Sequence, residues 1–331
     1  MNDTANTASP QKPGQRIEVL DLARGLALLA MASYHFSWDI EQFGYLDPGT
    51  TTHGLFKVYA RSIAGSFLFL AGVSLMLAHG SGIRPKSFLK RLGIVAGSAA
   101  LITIVTLFAT PDTFIYFGIL HAIAASSVIG LAFLRLPALL TVLAGIACIA
   151  LPMFYRDDIF NVVWLHWAGL STIPPRSNDY VPLMPWLGPF LIGMGAAKVA
   201  VATGLTGRLA ALSTGDNRLS RATQFFGRHS LAFYLLHQPL LLALVWTVAQ
   251  MAPPKQIDPL PGFIAECEAS CVGENDAEFC TRFCVCVTDE LLSRGMFNAF
   301  MAGEITPESD DRIPAIADQC TVSSGQVVTP D

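Results

Sequence analysis

Charged residues are scarce in this chain, and their scarcity excludes an ordinary soluble fold. Asp, Glu, Lys and Arg make up 14% of the 331 residues, whereas hydrophobic residues make up 52%. A soluble domain carries about 25% charged residues. Because lipid offers no hydrogen-bond partners to the backbone, a chain this apolar must fold into helices or a closed barrel. The composition and the long apolar runs together predict an all-α, polytopic transmembrane helical bundle.

Several binding signatures are also missing. The sequence contains no phosphate-binding glycine loop, no helix with a pair of metal ligands, no internal repeat and no basic patch suited to nucleic acid. We therefore expect neither a metal cofactor nor a nucleic-acid partner.

Cysteine is nearly absent from the first 257 residues, where Cys148 stands alone, but it is concentrated near the C-terminus. Residues 258–331 hold the other six cysteines, 14 acidic residues and three arginines. Two Cys-x3-Cys pairs predict short helices joined by disulfides, because so small a unit needs cross-links. An all-thiolate zinc site is the alternative. The disulfide candidates are Cys267, Cys271, Cys280, Cys284, Cys286 and Cys320.

Long apolar runs are abundant. Seven of them approach the ~20 residues that a helix needs to cross the hydrocarbon core. They cover residues 17–37, 57–79, 92–109, 114–134, 137–153, 183–202 and 229–250.

The positions of lysine and arginine predict the orientation of these spans. With the N-terminus in the cytoplasm, most Lys and Arg residues lie on the inner side, as the positive-inside rule requires. An odd number of spans then places the C-terminus outside. The predicted domains are a disordered cytoplasmic segment (1–16), a transmembrane domain (17–250) and an acidic, cysteine-rich helical tail in the periplasm (255–331).

An ionisable stripe runs along the first span. Arg24 and His35 are eleven residues apart, so they share a helix face and stand ~16 Å apart along the axis. Asp21 lies one turn below Arg24, and Asp39 lies one turn above His35. Ionisable groups are costly in a bilayer and usually line a functional cavity. This stripe is therefore the predicted site.

Each member of the stripe has a candidate role and a structural alternative. His35 suits a general base, with Asp39 fixing its tautomer. Covalent acylation of His35 stays possible, as does a purely interfacial position near Trp38. Arg24 suits an oxyanion ligand, and a plain ion pair with Asp21 is the alternative.

The stripe and several later motifs resemble the transmembrane acyltransferase superfamily. Its Arg-x10-His motif is intact at Arg24 and His35. The order and spacing of the other pieces are similar to the bacterial branch related to the catalytic domain of heparan-alpha-glucosaminide N-acetyltransferase. The resemblance covers residues 16–250 but not the tail. The other pieces are Arg61-Ser-Ile-Ala-Gly, Phe67-Leu-Phe-Leu-Ala-Gly72, Tyr116-Phe-Gly-Ile-Leu-His121, Pro185-Trp186-Leu-Gly188 and Gly227-Arg-His-Ser-Leu with Tyr234-Leu-Leu-His237-Gln-Pro239.

The resemblance implies transfer of an acyl group, most simply acetyl, from acetyl-CoA to an amine or hydroxyl of an extracytoplasmic glycan or glycolipid. It places the enzyme among the lipids of a bacterial inner membrane and leaves its oligomeric state open. The catalytic histidine is His35 or, in the first outer loop, His53. The remaining candidate ligands of donor or acceptor are Arg61, Tyr116, His121, Trp186 and His237.

A proton-coupled transporter is the competing interpretation of the same buried charges. Such a protein is commonly built from paired inverted halves. The absence of an internal duplication counts against this alternative. His121 and His237 have a further alternative, because buried imidazoles also form hydrogen bonds between helices.

Overall fold

The computed structural model describes residues 17–213, 215, 217–254, 259–272, 275–307 and 309–325. Throughout this part of the chain the regular structure is helical, and no strand is formed. The predicted all-α class is therefore confirmed. The predicted cytoplasmic segment (1–16) lies outside the described residues.

All seven apolar runs form helices. Two short helices, α7 (Leu205–Ala211) and α8 (Arg218–Arg228), precede the last of them. The seven are α1 (Glu18–Gln42), α2 (Gly54–His79), α3 (Pro85–Ala109), α4 (Ile119–Phe133), α5 (Ala138–Phe154), α6 (Leu183–Ala202) and α9 (Ser230–Met251).

The helices differ in how well they match a bilayer. Within the described residues, α2, α3, α6 and α9 are long and apolar enough to cross a membrane. Helices α4 and α5 have 15 and 17 residues, or about 22 and 25 Å against a ~30 Å hydrocarbon core. Helix α1 has 25 residues but carries the ionisable stripe. The chain is a membrane protein.

The first of two structural units comprises the described residues within 1–39 and 51–246. Its apolar core centres on α6, where Phe190, Leu191 and Met194 are fully buried. A Cβ atom on Gly72 of α2 would lie 1.9 Å from the carbonyl oxygen of Phe190. Helices α2 and α6 therefore pack backbone against backbone, as small residues allow in membranes.

The second unit comprises residues 40–50 and the described residues within 247–331. Tyr45 donates a hydrogen bond to the carbonyl oxygen of Ala252 over 2.6 Å, which joins its two segments. Its remaining helices are α10 (Pro259–Cys271), α11 (Ala277–Ser293), α12 (Phe297–Met301) and α13 (Arg312–Gly325).

Three disulfides hold the helices of this second unit together. Cys267–Cys284 and Cys271–Cys280 join α10 to α11, and Cys286–Cys320 joins α11 to α13. The predicted disulfides, including the pairing of two short helices, are confirmed. Apolar side chains such as Leu291 and Ile316 form only a small core beneath them.

Candidate functional site

Near the N-terminus of α1, Arg24 is held by contacts with Asp21 on the same helix and with Ser74 on α2. Asp21 is buried and accepts a hydrogen bond from Nη1 of Arg24 over 3.2 Å. The second carboxylate oxygen lies 3.8 Å from Nε of Arg228 at the end of α8. Arg24 also donates from Nη2 to the hydroxyl of Ser74 on α2, over 2.5 Å. Asp21 and Ser74 thus fix the direction of the guanidinium.

A cavity of about 420 Å³ opens beside this guanidinium. Arg24 and Ser74 form part of its wall, and α3 contributes Ser87, Lys90 and Arg91. Apolar residues of α1, α2, α3 and α4 complete the wall, among them Leu28, Ile94 and Ile123. The cavity therefore combines a polar, cationic part with an apolar part.

The cationic part of the cavity suits an anion with several charged oxygens. Arg24 and Arg91 both line the cavity and carry like charges. Lys90 adds a third cation, and the serine hydroxyls add donors. Guanidinium and ammonium groups form strong, charge-assisted hydrogen bonds to phosphate oxygens. A polyanionic ligand would relieve the repulsion among these side chains.

Two imidazoles meet at the upper end of α1. The rings of His35 and His237 lie 5.0 Å apart in an edge-to-face arrangement. His237, on α9, is buried, and its ring stacks on Phe233 at 6.0 Å. The Nδ1 atom of His237 lies 2.7 Å from the carbonyl oxygen of Tyr234. Helix α9 thereby fixes the orientation of this ring.

Asp39 faces α9 next to the imidazole pair. The carboxylate is fully buried, and Oδ1 accepts a hydrogen bond from Nε2 of Gln238 over 2.7 Å. This partner differs from the expected one, His35, because α9 crosses α1 here and brings Gln238 directly against the carboxylate. Asp39 thus positions the residue next to His237.

Tyr234 connects the cavity with the imidazole pair. Its side chain forms part of the cavity wall, and its ring lies 5.7 Å from that of His237. Along α1 itself, buried Leu28 and Met31 separate Arg24 from His35. His35 lies outside the described lining of the cavity. Tyr234 of α9 therefore connects the arginine end of the stripe with its histidine end, because the residues between them on α1 are apolar.

A loop carboxyl, that of Asp179, contacts the start of α4 next to the cavity. Asp179 accepts a hydrogen bond from the backbone N–H of Ile119, at 2.9 Å, and so caps the start of α4. Burial raises the pKa of the Asp179 carboxyl to about 6, against which the Ile119 hydrogen bond acts. Ile119 itself lines the cavity.

Three other predicted ligands, His121, Trp186 and Tyr116, contact neighbouring helices or the apolar core. His121 accepts a hydrogen bond from the Gly118 N–H at Nδ1, and Nε2 lies 3.3 Å from the hydroxyl of Thr103. One ring nitrogen therefore caps the start of α4, and the other contacts α3. Trp186 packs against the apolar core of the first unit. Tyr116 is half-buried next to Phe117.

The two predicted residues nearest the start of α2 are exposed. His53 precedes the helix, and its Nδ1 atom lies 3.0 Å from the hydroxyl of Thr52. Arg61 projects from α2 with an exposed side chain. Neither belongs to the described lining of the cavity.

Sequence reasoning did not select several residues that the fold brings to the site. Lys90 and Arg91 belong to a basic cluster that could attract a polyanionic donor, but the positive-inside rule already accounts for such a cluster. Tyr234 and Gln238 flank His237 in the motif Tyr-Leu-Leu-His-Gln. The helical spacing of Tyr234 and His237, three residues apart, was the signal that could have found the tyrosine.

Comparison with known proteins identifies the family of this chain. The family model described as "Heparan-alpha-glucosaminide N-acetyltransferase, catalytic" matches residues 16–239. No curated protein and no solved structure matches the chain. The match covers both histidines of the imidazole pair and every residue that lines the cavity. The chain therefore belongs to the family of heparan-alpha-glucosaminide N-acetyltransferase catalytic domains.

Proposed function

We propose that the protein moves an acetyl group from acetyl-CoA to an amine or hydroxyl of an extracytoplasmic glycan or glycolipid. The observation that carries the proposal is the cationic cavity, whose wall shares Tyr234 with the His35–His237 pair. Membership in an N-acetyltransferase family supports the choice of the transferred group.

The cavity fits the chemistry of the donor. Coenzyme A carries phosphates at one end and a long, weakly polar arm that ends in the thioester. Arg24, Lys90 and Arg91 would hold the phosphates. The apolar wall at Leu28 and Ile123 suits the arm. The reactive end would then approach Tyr234 and the imidazole pair.

His35 is the proposed general base. A neutral amine or a hydroxyl must give up a proton as it attacks the thioester carbonyl, and a neutral imidazole suits the task of accepting it near neutral pH. The attack forms the new acyl bond, the carbon–sulfur bond breaks, and the proton passes to the leaving thiolate. Transfer through an acetylated His35 is the second route, with the same net reaction.

The proposed location is the bacterial inner membrane. The transmembrane domain (17–250) would start in the cytoplasm, and the tail (255–331) would lie in the periplasm. Three disulfides support this side for the tail, because the periplasm oxidises thiols and the cytoplasm keeps them reduced. Acetyl-CoA would then enter from the inner side and the glycan from the outer side.

Acetyl transfer by purified protein tests the proposal. The protein in detergent is mixed with labelled acetyl-CoA and a panel of amino sugars and neutral sugars. We expect a labelled sugar from the wild type and a loss of at least about 100-fold in His35→Ala, the usual scale for removing a general base. His53→Ala is the matched control, because His53 is exposed, and it should keep wild-type transfer.

Two results would contradict the proposal. Loss of transfer in His53→Ala with retention in His35→Ala would move the chemistry to the first outer loop. Flux of unmodified sugar through proteoliposomes, without acetylation, would instead identify a transporter.

A further inference from the structure

Three buried polar atoms of α1 and α9 have no hydrogen-bond partner among the described residues. They are Oδ2 of Asp39, Nε2 of His237 and Oε1 of Gln238. Asp39 and Gln238 are bonded to each other through their other polar atoms, and His237 is adjacent to Gln238. Buried polar groups are nearly always satisfied in folded proteins, so a cluster of exceptions calls for a partner, water or ligand, that the described residues do not supply.

All three atoms are acceptors. A carbonyl oxygen only accepts hydrogen bonds, so the contact with the Tyr234 carbonyl assigns the proton of His237 to Nδ1. Nε2 then carries a lone pair. Gln238 uses its amide N–H to bind Asp39, which leaves its oxygen as the remaining acceptor.

A ligand of complementary chemistry must supply several donors. An ammonium has three N–H donors and no acceptor. Its positive charge also matches the buried carboxylate of Asp39. A neutral sugar hydroxyl offers one donor and needs donors in return, which these three atoms do not provide. The cluster therefore suits a protonated primary amine better than a hydroxyl.

We propose that Asp39, His237 and Gln238 bind the acceptor as its ammonium form, and that Nε2 of His237 removes the first of the two protons that the amine must lose. This assignment rests on the proposed acetyl transfer and divides its proton chemistry between two imidazoles. His237 becomes a catalytic base, whereas His35 acts on the neutral amine.

The proton balance requires two acceptors. An ammonium (R–NH3+) becomes an amide (R–NH–CO–CH3), so two protons leave the nitrogen. The first passes to Nε2 of His237 and then to solvent. The neutral amine attacks the thioester carbonyl, and the carbon–sulfur bond breaks. His35 takes the second proton and delivers it to the thiolate, giving coenzyme A.

The surroundings of His237 contain few other titratable groups. His35 faces its ring from α1. Asp39, also on α1, reaches it through Gln238. Tyr234 lies one turn earlier on α9. Phe233 covers one face of the ring and carries no proton.

The pH dependence of transfer tests the role of His237. In His237→Gln, kcat/KM for glucosamine should fall at least about 100-fold at pH 6.5, where the acceptor is an ammonium. The deficit should shrink to about 5-fold or less at pH 9, because the neutral amine needs no first base. The KM for acetyl-CoA should not change.

His229→Gln is the matched control for this experiment. His229 also places Nδ1 against a backbone carbonyl, that of Phe225, but its side chain is exposed. We expect the control to match the wild type at both pH values. A deficit in His237→Gln that is equal at the two pH values, or absent at both, would overturn the assignment of the first base.

Calorimetric binding of glucosamine to the full chain, without acetyl-CoA, tests the cluster separately. Gln238→Leu should weaken binding at least about 10-fold. Equal binding by wild type and Gln238→Leu, or no binding by either, would refute the acceptor site. Binding that depends on Gln238 without any acetyl transfer would support this site while contradicting the proposed function.

Discussion

At the scale of single residues, the carboxyl of Asp179 is shielded from solvent and also accepts a hydrogen bond from the backbone. Its carboxyl caps α4 through Ile119, and burial raises its pKa to about 6 from a usual value of 3.8. Folding therefore favours the neutral form of this carboxyl relative to the unfolded chain. Any ionisation of this group lowers the stability of the loop that meets the cavity.

Asp179 predicts a pH dependence of stability. Between pH 4 and pH 6 the folded state holds a proton that the unfolded state has lost, so the free energy of unfolding falls as pH rises through this window. The fall should be on the order of 2–3 kcal/mol at most and should stop above about pH 6. Thermal melting in detergent at pH 4.5 and pH 7 measures it.

Asp179→Asn supplies the comparison for that experiment. The amide keeps the shape and cannot ionise, so the melting temperature of the variant should differ less between the two pH values than that of the wild type. A variant that keeps the full pH dependence of the wild type would contradict the role of Asp179.

Some individual residues of the site could be predicted from the sequence and others could not. Arg24 and His35 share a helix, and helical geometry alone places them on one face. The partner of Asp39 is 199 residues away in sequence. The packing of α1 against α9 determines that contact. The expectation that Asp39 would orient His35 used only the spacing along α1, which does not show which residues of α9 lie opposite.

At the scale of elements, the contact between α1 and α8 holds the arginine end of the site. A Cβ atom on Gly25 would lie 2.0 Å from the carbonyl oxygen of Thr223. A Cβ atom on Gly227 would lie 1.8 Å from that of Asp21. The two helices therefore approach too closely for any side chain, and this approach brings Arg228 to Asp21.

Gly25→Ala should disrupt that contact. The added methyl meets backbone, which cannot move aside locally, so we expect a loss of about 1–3 kcal/mol in stability and weaker binding of acetyl-CoA. Gly65→Ala on α2 is the matched control, because nothing lies within 4 Å of its Cβ position. The control should be neutral or slightly stabilising. Equal melting temperatures for the two variants would contradict the packing argument.

The elements themselves were largely predictable, but their ends were not. Seven apolar runs gave seven helices, because hydropathy reports burial in lipid directly. Helix α3 begins at Pro85 instead of residue 92 because its first turns are charged and therefore invisible to hydropathy. Helix α4 begins at Ile119 instead of residue 114, since Gly118 is extended at its N-cap.

At the scale of the whole molecule, the disulfides differ in how much chain they constrain. Cys286–Cys320 closes a sequence separation of 34 residues, whereas Cys271–Cys280 closes 9 and lies within the Cys267–Cys284 loop. The entropy of loop closure grows with length. Removing the Cys286–Cys320 disulfide should therefore lower the stability of the second unit by about 1 kcal/mol more than removing Cys271–Cys280 does.

Hydrogen exchange in the full-length protein measures that difference. The paired serine substitutions at Cys286 and Cys320 should speed exchange in α11 and α13 more than those at Cys271 and Cys280 do. The reverse order would show that loop length does not govern the stability of this unit.

Steady-state kinetics with acetyl-CoA and an amino sugar tests the central claim most directly. If the cavity holds the donor and the imidazoles perform the transfer, the two ends of α1 must affect different constants. Arg24→Ala should raise the KM for acetyl-CoA at least about 10-fold with little change in kcat. His35→Ala should lower kcat at least about 100-fold with little change in that KM. Two variants with unchanged constants, or with the same constant changed in both, would contradict the account.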